Sequence, residues 1–259
     1  MNAPGRTRPW WGMGDALMLL PIIAVMSILA VLIVTLVEGG ADEGQTISAT
    51  DLPLWGTALF SLLQQLALLA WPLIVSKWKG LGPASDWGLT FHKEDLWIGL
   101  GVGIIALFSA GVANVVASLA VGLEDSESAG NLDVLTSAQG TVWFWVLVLT
   151  VVLVAPVAEE VLFRGLILRS VKNRFGTVVA VIAVLAVFVP LHRADGGYFS
   201  GGQVVLMAGI GALALTFTMA AVITERLGPS IVAHVVVNGA GAAGAISGLN
   251  AGGWLPVYY

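Results

Sequence analysis

Residues 142–168 read Val142-Trp-Phe-Trp-Val-Leu-Val-Leu-Thr-Val-Val-Leu-Val-Ala-Pro-Val-Ala-Glu-Glu-Val-Leu-Phe-Arg-Gly-Leu-Ile-Leu168. The first seventeen of these residues, 142–158, carry no charge, and Glu159, Glu160 and Arg164 then interrupt a run that stays apolar to Leu168. About 20 apolar residues cross roughly 30 Å of hydrocarbon at 1.5 Å per residue. This stretch therefore reads as a membrane helix with three ionisable groups inside it.

The rest of the chain repeats the pattern. Apolar runs lie at about 15–37, 54–76, 97–122, 177–191, 203–224 and 228–247, making seven spans with the one at about 141–168 to which the quoted stretch belongs. Over 259 residues the chain is 58% hydrophobic and 10% charged, where a soluble domain has about a quarter charged. Long continuous runs, as opposed to stripes, argue against a soluble helical protein with a greasy core. In lipid a single chain satisfies its backbone by forming helices, so the expected fold is an all-α polytopic transmembrane bundle of about seven helices. The fifth and seventh runs are short or rich in Gly and Ala, and are expected inside the bundle. The first run is too long for a signal-peptide core and is followed by Glu38-Gly-Gly-Ala-Asp42, so it reads as a retained anchor.

Charge supplies an orientation. Arg6, Arg8, Lys77, Lys79, Lys93, Arg169, Lys172, Arg174 and Arg226, nine of the eleven basic residues, fall in loops of one side. By the positive-inside rule that side is cytoplasmic, with the N-terminus in and the C-terminus out. The opposite loops hold Glu38, Asp42, Glu43, Asp51, Glu124, Asp125, Glu127 and Asp133, with Arg193 as the lone base. Trp10, Trp11, Trp55, Trp78, Trp97, Trp143 and Trp254 fall at span ends and read as an interfacial belt. Trp87, Leu89 and Phe91 in the loop Gly80–Asp95 are expected along the membrane surface. The glycines of the loop Arg193–Gly202 suggest mobility. Without cysteine the chain has no disulfide, thiolate metal site or cysteine nucleophile. It has no basic tract for nucleic acid.

Ionisable groups inside membrane helices cost about 2.5–3.5 kcal/mol each on insertion scales and are functional suspects. Here they are Glu159, Glu160, Arg164, His192 and His234, with Asn238, and with the milder Gln64 and Gln65. Glu160 and Arg164 are four apart and can pair on one helix face. Glu159 is turned about 100° away and faces elsewhere. Phe188 shares a face with His192, and His234 with Asn238. Glu159 and His192 each lie sixteen residues from the turn near Asn173–Gly176, hence at equal depth, about 24 Å along an antiparallel pair. His234 is only six residues from its own loop, so the three depths agree if the hairpin around Arg169–Arg174 extends beyond the membrane, which puts the site near the cytoplasmic side.

A carboxylate, two imidazoles and an amide converging in a low dielectric suit amide hydrolysis. Glu159 would take a proton from water, and His192 would hold that water or relay the proton. His234 and Asn238 would donate to the developing oxyanion. Glu160 and Arg164 would brace the helix face. The same groups also suit a buried network that ties helices together. No G-x-S-x-G elbow and no H-E-x-x-H helix is present. A zinc site of Glu159, His192 and His234 stays arithmetically open, so the residues do not decide between zinc-bound water and water held by Glu and His alone.

Glu159-Glu160-Val-Leu-Phe-Arg164, Phe188-Val-Pro-Leu-His192 and His234-Val-Val-Val-Asn238 match EExxxR, FxxxH and HxxxN in order. Together they resemble the motifs of the CPBP intramembrane peptidases, the family of CAAX proteases and bacteriocin-processing (Abi) proteins. The likeness covers about 141–245. It implies that Glu159 activates water with His192, that His234 and Asn238 stabilise the oxyanion, and that Glu160, Arg164 and Phe188 support them, in a cavity open to the cytoplasm. It implies a peptide or protein substrate and a membrane-lipid setting. The family carries the label metalloprotease, yet its site also resembles a metal-free glutamate peptidase, and the metal-free mechanism is the favoured expectation. Pro190 inside FxxxH departs from the pattern and is expected to kink the fifth span.

On this reading residues 1–14 are a cytoplasmic tail, 15–140 hold spans one to three, 141–247 are the catalytic core and 248–259 a C-terminal tail. The Gly/Ala/Val-rich composition points to a bacterial plasma membrane. Rival readings are a non-catalytic membrane scaffold or bacteriocin-immunity protein, and a small transporter using the same acids and histidines as a relay.

Overall fold

Val, Leu and Ala dominate the runs named above, and a lipid-embedded backbone with such side chains closes its own hydrogen bonds in helices. The computed structural model of the chain describes residues 9–38, 52–122, 135, 137–192 and 200–247. The described residues form helices and contain no strand. The main helices are α1 (Met13–Val37), α2 (Leu54–Lys79), α3 (Pro83–Trp87), α4 (Glu94–Val121), α5 (Val142–Phe175), α6 (Thr177–Leu191), α7 (Gly201–Thr224) and α8 (Gly228–Ser247). Five of them, α1, α2, α4, α5 and α7, are long and apolar enough to cross a membrane. The shorter α6 and the Gly/Ala-rich α8, the fifth and seventh runs, are not among the five. The chain is a multi-pass helical membrane protein.

Helix α1 lies on α2, α2 lies along the middle of α5, and α4 packs against both α7 and α8. The close approach of α4 to α8 depends on two glycines. A Cβ on Gly99 would stand 2.4 Å from Cβ of Val232, and one on Gly103 would stand 2.9 Å from a methyl of Val236. The two valines flank His234, so these notches set how deeply α8 sits against its neighbour. At the end of the bundle where α8 begins, Asp95 is fully buried and takes Arg226 Nε at 2.8 Å and the His92 backbone N–H at 2.9 Å. Leu227 donates its backbone N–H to Gly88 O at 2.8 Å. The start of α8 is thereby bolted to α4 and to the α3 turn.

Three expectations change. The helix α5 runs seven residues past Leu168, to Phe175, because the polar stretch Arg169–Arg174 is itself helical and buries Leu168, Ser170 and Val171. Trp11 does not belong to an interfacial belt: it is buried and packs at a tilt against Trp87 with ring centroids 4.5 Å apart. Trp87 does not lie on the membrane surface but is fully buried, whereas Phe91 is exposed. A short helix, opened by Pro83 and ended by Gly88 in the left-handed conformation (φ 63°), turns that indole inward. Trp10, Trp78 and Trp97 are exposed, as an interfacial belt requires. Arg6, Arg8, the acidic residues 42–51 and 124–133, the loop residues 193–199, and Trp254 with the C-terminal tail lie outside the described residues.

Candidate active site

Helix α5 does not keep one winding. Thr150–Val154 and Glu160–Ile167 are π-helical, separated by the α-helical turn Ala155–Glu159. Wider turns of this kind leave backbone groups without their usual partners and recur at functional sites. Both glutamates stand at the junction where the helix passes from α to π winding. Pro156 sits at the entry to the α turn and contributes no N–H.

Glu160 and Arg164 are fully buried and pair at 2.9 Å between Arg164 Nη1 and Glu160 Oε1. The guanidinium donates further to Thr218 Oγ1 at 3.2 Å through Nε and to the Ala214 carbonyl at 3.1 Å through Nη2. Three aromatic rings enclose it, Phe188 at 4.8 Å, Phe217 at 5.7 Å and Phe163 at 6.0 Å from the guanidinium carbon. Such a cation is tolerable away from water because its charge is matched and its N–H groups find acceptors. The same Oε1 also receives His234 Nδ1 at 3.0 Å. One oxygen thus gathers α5, α7 (through the guanidinium) and α8 at one level of the bundle.

Glu159 faces the other way. Its Oε2 lies 3.6 Å from His192 Nε2 and 3.9 Å from His234 Nε2. Both distances exceed a hydrogen bond. Among the described residues this oxygen is buried and accepts none. The ring orientations follow from the opposite nitrogens. His192 Nδ1 lies 2.8 Å from the Phe188 carbonyl, which can only accept, so Nδ1 carries the proton and Nε2 is turned to Glu159. By the same reasoning His234 Nδ1 donates to the Glu160 carboxylate, which leaves its Nε2 toward Glu159. Each imidazole also lies on a phenyl ring, His192 on Phe188 with centroids 4.1 Å apart and His234 on Phe217 with centroids 4.8 Å apart. These flat contacts and the Nδ1 bonds hold the two rings against rotation.

Pro190 does not bend a continuing helix. It lies one residue before the end of α6, and His192 follows as the cap, φ −97° and ψ 15°, with its backbone N–H on Val189 O at 3.1 Å. The histidine is therefore presented from a helix end. Asn238, buried on α8 one turn beyond His234, donates its side-chain amide to the Val151 carbonyl at 2.9 Å.

Glu159, Glu160, Arg164, Phe188, His192 and His234 meet in this one cluster, and Asn238 braces the outer part of α5 beside it. Sequence reading placed no site residue on α7, yet Ala214, Phe217 and Thr218 all belong to the wall. Thr218 was legible only as one hydroxyl in an apolar run, a weak signal. Gln64 turns away from the cluster, bonding Ser27 and α1.

Zinc bound at 2.0–2.2 Å to nitrogen and oxygen holds its ligand atoms about 3.4 Å apart. The Glu159 oxygen stands somewhat farther from both imidazole nitrogens, and among the described residues no group of three or more His, Cys, Asp or Glu is disposed to hold a metal.

A multi-pass helical bundle that buries two glutamates against two fixed imidazoles defines the class: a membrane protein with an acid–imidazole site within the bundle. Residues 141–240 match the family described as Rce1-like, type II CAAX prenyl endopeptidase Rce1-like. Over these residues the chain is similar to the CAAX protease family. No curated protein and no solved structure matches the chain.

Proposed function

We propose that the chain is an intramembrane endopeptidase that hydrolyses a peptide bond with water activated by Glu159 and His192. The observation that carries the reading is Glu159 Oε2, a buried carboxylate oxygen that accepts no hydrogen bond among the described residues and faces two Nε2 atoms at 3.6 and 3.9 Å. A buried acceptor calls for a donor. A water between the carboxylate and His192 supplies it and is then positioned as a nucleophile.

In this mechanism Glu159 accepts a proton as the water oxygen adds to the scissile carbonyl carbon, and His192 Nε2 keeps the water oriented. Collapse of the tetrahedral adduct breaks the C–N bond, and the proton on Glu159 passes to the leaving amine. His234 serves the oxyanion. Because its Nδ1–H is committed to Glu160, a second donor at Nε2 requires the imidazolium form. Asn238, one turn beyond His234, is the second oxyanion donor in this reading.

The basic loops support an N-terminus on the cytoplasmic side. Lys79 pairs with Asp15, Arg226 with Asp95, and Arg169 holds the Glu225 carbonyl, all at one end of the bundle. A bacterial plasma membrane, with a lipid-embedded peptide or protein substrate, is the setting this reading carries.

The test is cleavage of a mixed peptide library by the purified protein in detergent, wild type against Glu159→Gln, each with and without a strong chelator. Cleavage by wild type alone is expected, and it should survive the chelator. Equal cleavage by Glu159→Gln overturns the assignment, and loss in chelator replaces the mechanism with a metal-dependent one.

A further inference from the structure

The contact between Asn238 and Val151 has a cause in the backbone of α5. In an α-helix the Val151 carbonyl would receive the N–H of residue 155. The Ala155 N–H instead donates to Thr150 O, one residue farther back, as π winding requires. In that register the partner of Val151 would be residue 156, which is Pro156 and has no N–H. In the winding the chain adopts, the carbonyl therefore has no helical donor. Within a membrane bundle an unpaired backbone carbonyl is costly, and a side chain from another helix is a usual substitute. Asn238 Nδ2 takes this place at 2.9 Å.

We propose that Pro156 and Asn238 form one positioning device: the proline strips Val151 O of its partner so that only a helix bringing an amide to that level can satisfy it. Helix α8 is then tied to α5 at two heights, through Asn238 on Val151 and through His234 on Glu160. Two ties set both the rotation and the axial register of α8 and hold the His234 ring at its distance from Glu159. Pro156 is a positioning residue and touches none of the reacting groups. This role is separate from the peptidase reading, and it stands or falls without any substrate.

The test is a double-mutant cycle of thermal unfolding in detergent, with wild type, Asn238→Leu, Pro156→Ala and the double variant. Asn238→Leu keeps the size of the side chain and removes the donor. It should lower the unfolding midpoint by several degrees in the wild-type background and by far less in Pro156→Ala, where residue 156 supplies an N–H to Val151. If Asn238→Leu alone does not fold, recovery of folded protein in the double variant gives the same answer. An equal loss in both backgrounds, or a double variant that fails to fold while Pro156→Ala folds, overturns the proposal.

The register itself can be read separately. A Cβ on Gly239 would stand 3.8 Å from Cγ1 of Val152, so the two positions face each other across α5 and α8, and the chain has no cysteine to interfere. In a Val152→Cys, Gly239→Cys protein the cross-link should form readily under mild oxidation and several-fold more slowly once Asn238→Leu is added. An unchanged rate shows that Asn238 does not hold the register.

Discussion

Two adjacent residues on α5 look onto opposite kinds of surroundings. On the Glu160 side Oε1 has both a guanidinium and an imidazole, the guanidinium is in turn held by Thr218 and Ala214, and three phenyl rings close the space. On the Glu159 side the nearest nitrogens stand back at 3.6 and 3.9 Å; Oε2 of each glutamate is buried and unbonded among the described residues, so the difference is that Glu160 is held through Oε1 and Glu159 only faces its imidazoles. The first region has the form of a tie between helices, where charge is neutralised at fixed distances. The second has the form of a reactive site, where polar groups converge without satisfying one another. A tie-only reading explains Glu160 and leaves Glu159 without a reason to be buried.

This contrast can be broken most forcefully on the tie side. Arg164→Leu leaves the buried Glu160 with His234 as its remaining partner, and should cost about 3–5 kcal/mol of stability, seen as loss of folded protein in detergent unfolding. Glu159→Gln should do the reverse. Cleavage should fall by about 10²–10⁴-fold, the usual worth of a general base, while the unfolding midpoint stays near wild type. A large stability loss in Glu159→Gln would erase the distinction between the two sides.

Smaller effects sharpen it. Thr218→Val removes the acceptor of the guanidinium Nε together with the hydroxyl bond to Ala214 O, and should cost about 1.5–3 kcal/mol, read by the same unfolding assay. Gly103→Leu forces a side chain against Val236 and should cost about 1–3 kcal/mol as overpacking, with lower turnover because α8 carries His234. Normal turnover in that variant would show that α4 does not set the depth of α8. Phe217→Leu removes the ring beneath His234 and should cost about 1 kcal/mol beyond the lost area.

Much of this protein is written in local sequence. Uninterrupted apolar runs require helices because a chain in hydrocarbon has no other partner for its backbone. The Glu160–Arg164 pair is legible because four residues return a helix to the same face, and Glu159 is off that face for the same reason. What the sequence could not declare is how each helix is rotated about its axis against its neighbours. A segment apolar on every side carries no polarity stripe to orient it, so Thr218 and Ala214 reaching Arg164, and Phe217 lying on His234, emerge only from packing. Trp11 and Trp87 read as surface aromatics, and a short helix turned by Gly88 buries one against the other. The continuation of α5 to Phe175 was hidden because its last turns are polar in composition and helical through contacts with other elements. The tertiary structure also decided that Asn238 meets Val151, since that bond joins residues 87 apart and depends on a backbone winding that no side-chain pattern records.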